Sequence, residues 1–145
     1  MENNHIENIE SNGKTLAIIL RTEFNKNGIE FLTPNNFTQQ LGYMKREKDY
    51  VIKPHIHNLF ERNINMTKEV LFIKSGSVRI DFYFDDKEYF KSTILNKGDV
   101  ILLAYGGHGL YMLEESEIIE VKQGPYADDL DKVRFDPVDD QKVKL

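Results

Sequence analysis

The chain has 145 residues, of which 40% are apolar and 30% charged, a length and balance that fit one soluble globular domain. It has no cysteine, which excludes disulfides, thiolate metal sites and cysteine nucleophiles and agrees with a reducing cytoplasm. The net charge of −5, from 19 basic and 24 acidic residues, argues against nucleic acid, whose phosphates need a basic surface.

No apolar run approaches the roughly 20 residues that span a bilayer; the longest are Leu16–Leu20 and Val100–Tyr105. The acidic opening MENNHIENIE has neither the basic nor the apolar region of a signal peptide. A cytoplasmic protein with no membrane partner is therefore expected. Glycine-loop nucleotide motifs are absent from the sequence, so nothing suggests a phosphate cradle.

Residues 1–13 are polar and rich in Asn and Glu and read as an N-terminal tail. Residues 14–126 carry the pattern of a β domain. Leu16–Leu20 is a β-branched run, and Asn27-Gly28 is a hairpin signal leading into Ile29–Thr33. Asn35–Met44 has room for a turn or two of helix. Glu69–Lys74 and Ser77–Phe84 flank a turn at Ser75-Gly76, and Val78, Ile80, Phe82 and Phe84 alternate with polar or amphipathic residues, the period of a strand with one apolar face. Asp85-Asp86 turns the chain into Tyr89–Leu95, and Asn96–Asp99 turns it into Val100–Tyr105. Leu110–Leu113 and Ile118–Val121 follow before Gly124-Pro125. Residues 127–145 read as a charged C-terminal tail or docked arm with Val133 and Phe135 as its apolar anchors. Eight or more short strands predict an all-β sandwich or barrel.

Four histidines are present. His5 lies in the polar stretch and reads as a solvated residue. His55 and His57 form H-I-H; on a strand, residues two apart share a face, with ring bases roughly 7 Å apart, and imidazole is the commonest protein metal ligand. His108 sits among Gly106, Gly107 and Gly109, where missing side chains let the backbone turn tightly and leave room around the ring. Glu69 opens an otherwise apolar strand, Val70-Leu71-Phe72-Ile73, and a carboxylate there is costly to bury unpaired. A cation shared by these four residues answers that cost. The opposing reading is a Gly-rich hairpin with a surface histidine. Glu120 and Lys122 share a strand face with Ile118; they are candidates for substrate positioning or proton transfer, or else an exposed ion pair on an edge strand. Tyr105 and Tyr111 flank the histidine turn and are weaker candidates. Arg79, Asp81 and Tyr83 read as a solvated or dimer-facing surface.

These motifs resemble those of the cupin superfamily. Pro-His55-Ile-His57 is similar to the start of the first cupin motif and Glu69 to Gly76 to its end; Gly98 to His108 is similar to the second. The match covers roughly residues 50–123. Eleven residues separate His57 from Glu69, so residues 58–68 read as an inserted loop, and Glu61, nearer to His57, is the rival carboxylate.

The resemblance implies a double-stranded β-helix, or jelly-roll barrel, in a single domain. It implies one divalent transition metal (Mn, Fe, Ni, Co, Cu or Zn) held by His55, His57, Glu69 and His108. A small oxygenated, carbohydrate-like ligand would sit in the barrel mouth, as in small bacterial cupins that accompany surface-polysaccharide enzymes. As an enzyme the protein would be a metal-dependent isomerase or dioxygenase. The alternatives are a metal-free sugar-nucleotide epimerase or isomerase, with a histidine base and a tyrosine acid, and a non-catalytic binding module. A homodimer is also expected, with Leu16–Leu20 as the strand that pairs between copies.

Overall fold

The computed structural model describes residues 5–145. It is all-β, with antiparallel pairing throughout its sheets. The chain divides into two compact units, one formed by residues up to Phe24 with Thr67–Leu145 and the other by Asn25–Met66, so the stretch 14–126 contributes to both. Among the described residues no sheet closes into a barrel, and no helix is long and apolar enough to cross a membrane.

The first unit holds β1 (Ile6–Ser11), β2 (Lys14–Leu20), β5 (Glu69–Ser75), β6 (Ser77–Tyr83), β7 (Tyr89–Asn96), β8 (Val100–Leu103), β9 (Gly107–Met112) and β10 (Glu117–Lys122). One sheet has the order β1-β2-β8-β5-β10 and the other β7-β6-β9. Both sheets feed the same core. Ala17, Ile19, Leu71, Ile73, Ile101 and Leu103 of the larger sheet pack in one buried cluster with Val78, Ile80, Phe82 and Leu95 of the smaller. Period-two alternation gives each strand one face for this core. The register keeps the apolar positions in phase, with Leu71 opposite Ile101 and Ile101 opposite Ile19.

Several expectations change. The tail contains β1, whose Ile9 is buried in the core. Its signal was hidden because a register shift between Ile9 and Glu10 breaks the alternation. Asn12-Gly13, with φ of 51° and 72°, makes the β1–β2 hairpin turn that such a pair favours. Leu16–Leu20 is not an edge strand: β2 lies between β1 and β8, so it has no free side to offer a second copy.

The C-terminal arm does dock. Phe135 meets the Tyr83 ring at 5.0 Å between centroids, while Val133 stays exposed. The Val138 N–H donates to the Tyr83 hydroxyl at 2.9 Å, and the Ser92 N–H donates to the Lys144 carbonyl at 2.7 Å. Arg79, Asp81 and Tyr83 are accordingly buried rather than solvated or dimer-facing. Arg79 grips Asp81 with two N–H groups, at 2.8 and 3.1 Å, and reaches Asp140 of the arm at 3.0 Å.

In the second unit, β3 (Gly28–Phe31) pairs with β4 (Gly42–Lys45). The expected helical turns within Asn35–Met44 are absent: turns and bends lead into β4. Gln40 replaces helical bonding by donating its amide to the Pro34 and Phe37 carbonyls, at 3.0 and 2.8 Å.

Ile80 is fully buried at the centre of the shared core. Ile80→Ala is expected to cost about 2–5 kcal/mol of stability, read as a lower urea midpoint at unchanged slope; a loss under about 0.5 kcal/mol, the range of ordinary surface changes, would contradict this packing.

Candidate functional site

Glu69 begins β5 and shares the face of the core residues Leu71 and Ile73. On β9, His108 lies opposite Phe82, and Leu110 opposite Ile80, so the ring shares the face that borders the core. The two sheets thereby bring an acid and an imidazole, thirty-nine positions apart, to a common point. His108 Nε2 and Glu69 Oε2 are 3.0 Å apart, and their side chains are only 30% and 14% exposed.

The turn before β9 sets this up. Gly106 has φ of +74°, and a Cβ there would strike the Tyr83 carbonyl oxygen. Gly107 lies against the Phe135 ring, with a would-be Cβ 3.1 Å from Cζ. Gly106 thus makes the tight turn expected of it, and Gly106 and Gly107 admit neighbouring backbone and the docked arm.

Lys122 is directly opposite Glu69 in the β5–β10 ladder. Its Nζ lies 3.9 Å from Glu69 Oε1 and 3.2 Å from Glu120 Oε1. Both β10 candidates are thus on the site-bearing face, although β10 is a terminal strand of its sheet. The hydrogen bond from His108 holds the Glu69 carboxyl below its ordinary value, against the opposing effect of burial, with help from the charges of Lys122 and Lys132. Lys132 was missed in the sequence, because only the folded C-terminal segment brings its charge near. An ionised carboxylate can only accept, so Nε2 carries the proton in this bond. Glu120, first, and Glu69, more weakly, raise the pKa of Lys122.

Tyr105 does not join this cluster through its hydroxyl: that group donates to Asp85 Oδ2 at 2.6 Å and accepts from Lys14 Nζ at 2.6 Å. Tyr111 alternates to the opposite face of β9 from His108, and its ring lies under the Arg79 guanidinium at 4.7 Å.

His55 and His57 belong to the second unit. They are exposed and lie outside any strand, contrary to the expected strand placement, yet their rings stand edge to face with centroids 5.2 Å apart. His55 Nδ1 is 3.0 Å from the Lys53 carbonyl, which as an acceptor draws a proton to that nitrogen and leaves Nε2 of a neutral ring as the available ligand atom. Glu61 is exposed in the same irregular stretch. Among the described residues no three His, Asp or Glu side chains form a group that could hold a metal.

Because the folded pKa of Glu69 is lowered, its contribution to stability is complete above the ordinary value near 4.5 and is lost as pH falls through the lowered one. His108→Ala is expected to raise the Glu69 titration midpoint, measured by carboxyl carbon NMR. An unchanged midpoint would show that His108 does not hold this charge.

Set beside known proteins, the chain matches no family model, no curated protein and no solved structure.

Proposed function

We propose that the protein binds one divalent metal ion and uses it to act on, or to hold, a small oxygenated molecule of carbohydrate type. The meeting of Glu69 with His108 at 3.0 Å carries this reading. An ionised carboxylate and an imidazole converge from two different sheets at the border of the buried core, and those donors suit a borderline divalent cation. His55 and His57, side by side at 5.2 Å, supply the further imidazoles of the set drawn from the sequence. The two facing antiparallel sheets are compatible with a cupin jelly roll. A bound ion supplies a Lewis acid for carbonyl or hydroxyl oxygens, which suits an isomerase or a dioxygenase. Lys122 and Glu120 offer an ammonium and a carboxylate that orient such a ligand by hydrogen bonds.

A second reading is a metal-free isomerase or epimerase, favoured by the direct Glu69–His108 bond and the Lys122 ammonium beside it. A carboxylate that orients a histidine is a common way to prepare a general base. Its tyrosine acid is not Tyr105 as it stands, since that hydroxyl is engaged by Asp85 and Lys14.

Elemental analysis after loading with Mn, Fe, Ni, Co, Cu or Zn separates the readings. About one ion per chain is expected, retained in Glu61→Ala and lost in His57→Ala and Glu69→Ala. Release is expected as pH falls through roughly 6 to 5, since protonated imidazoles cannot coordinate. A wild-type protein that takes up no divalent ion overturns the metal reading in favour of the second; loss in Glu61→Ala alone transfers the carboxylate role to Glu61.

A further inference from the structure

Residues 131–144 run across both sheets of the first unit, and their contacts begin beside the two residues of the Glu69–His108 pair. Thr67, two positions before Glu69, donates its hydroxyl to Asp131 at 2.5 Å. Lys132 follows, near enough for its charge to act on Glu69. Phe135 then lies against Gly107, one position before His108, and against the Tyr83 ring. Beyond it the arm crosses the outer face of the smaller sheet. The Val138 N–H reaches the Tyr83 hydroxyl at 2.9 Å, Asp140 meets Arg79 at 3.0 Å, and the Lys144 N–H reaches the Tyr89 hydroxyl at 2.9 Å. One strip of chain therefore ties the strand that carries Glu69 to the strand that carries His108, at the end where the two residues meet.

The arm is held lightly. Val133 and Leu145 are largely exposed and Phe135 itself is 36% exposed, so little apolar area opposes release. Release strands no buried charge either. Arg79 keeps both bonds to Asp81, and Asp81 keeps the Ser92 hydroxyl. The ionic partner that Arg79 loses, Asp140, has a side chain 70% exposed. Segments with few buried apolar contacts open locally at a fraction of the global stability.

We propose that this arm is a releasable strap: docked, it holds Glu69 and His108 within bonding distance, and released, it lets the two strand starts part and the pair open. Its action on His108 is indirect, because Phe135 meets the face of β9 opposite to the ring. What the arm fixes is backbone. Phe135 abuts Gly107, and the space a Gly106 side chain would need is taken by the Tyr83 carbonyl, so the turn leading to His108 is held between the arm and β6. A ligand that engages both side chains binds the docked form, so ligand and arm favour each other reciprocally. The strap does not depend on that ligand being a metal.

Hydrogen exchange followed by NMR on the full chain, without added metal, tests this. The Val138 and Lys144 amides report whether the arm is down, since their partners are hydroxyls of the smaller sheet. The Nε2 proton of His108 reports the pair, since it is shared with Glu69. Asp140→Ala is expected to speed exchange of all three by up to about fivefold, the scale of one partly exposed ion pair. Adding Phe135→Ala is expected to bring the increase to about tenfold or more, with the core amide of Ile80 unchanged.

Arm amides that exchange faster while the His108 proton keeps its rate overturn the coupling. Arm amides still protected in the double variant show that these contacts do not hold the arm. A loss of protection that reaches Ile80 makes the arm part of the global fold. Either of these last two results overturns the strap.

Discussion

The contact between the inner faces of the two sheets in the first unit governs everything else in it. Val78, Ile80 and Phe82 from one side meet Leu71, Ile73, Ile101 and Leu103 from the other in a single buried cluster. Because side chains alternate along a strand, burying these residues also fixes the direction of every second neighbour. A one-residue slip of β5 would bury Val70 and Phe72 and turn Glu69 away. Burial of the core thus puts Glu69 and His108 in phase with apolar residues, and they become partners where the apolar contacts run out.

A polar pair in that position must be satisfied locally. Glu69, only 14% exposed at its side chain, accepts from His108 and lies near Lys122, so its charge persists despite the cost of desolvation. The other face of β6 solves the same problem differently. There Arg79 and Asp81 pair bidentately, Ser92 donates to Asp81, and the arm adds Asp140. The arm covers charged groups already paired with one another, so its apolar contribution is concentrated in Phe135 against Tyr83. The two polar clusters differ in exposure. The one beneath the arm is closed by chain, whereas the imidazole of the Glu69–His108 pair remains 30% exposed.

The second unit has a different balance. The β3–β4 pair is a short two-stranded ribbon, too small to build a core by itself, and the long stretch after it exposes apolar side chains around the H-I-H pair. Apolar surface of that extent is unfavourable in water, and unpaired strand edges such as those of β9 and β10 are where backbone donors and acceptors remain to be satisfied.

The sequence by itself determined the all-β class, most of the strands in the first unit and the individual candidate residues. Alternation such as Val78-x-Ile80-x-Phe82 and turn pairs such as Ser75-Gly76 encode those features within a few residues. It did not reveal β1, where Ile6 and Ile9 are spaced out of period and a bulge resets the register. It misread the outer face of β6, because the Arg79–Asp81 pair becomes interior only when a segment about sixty residues later lies over it. Tertiary structure alone decided that Glu69 meets His108, that Lys122 stands opposite Glu69 while Tyr105 turns to Asp85, and that β2 is an interior strand. The physical reason is the same in each case: local periodicity says which face a side chain occupies, but which strands become neighbours is settled by pairing across long stretches of chain.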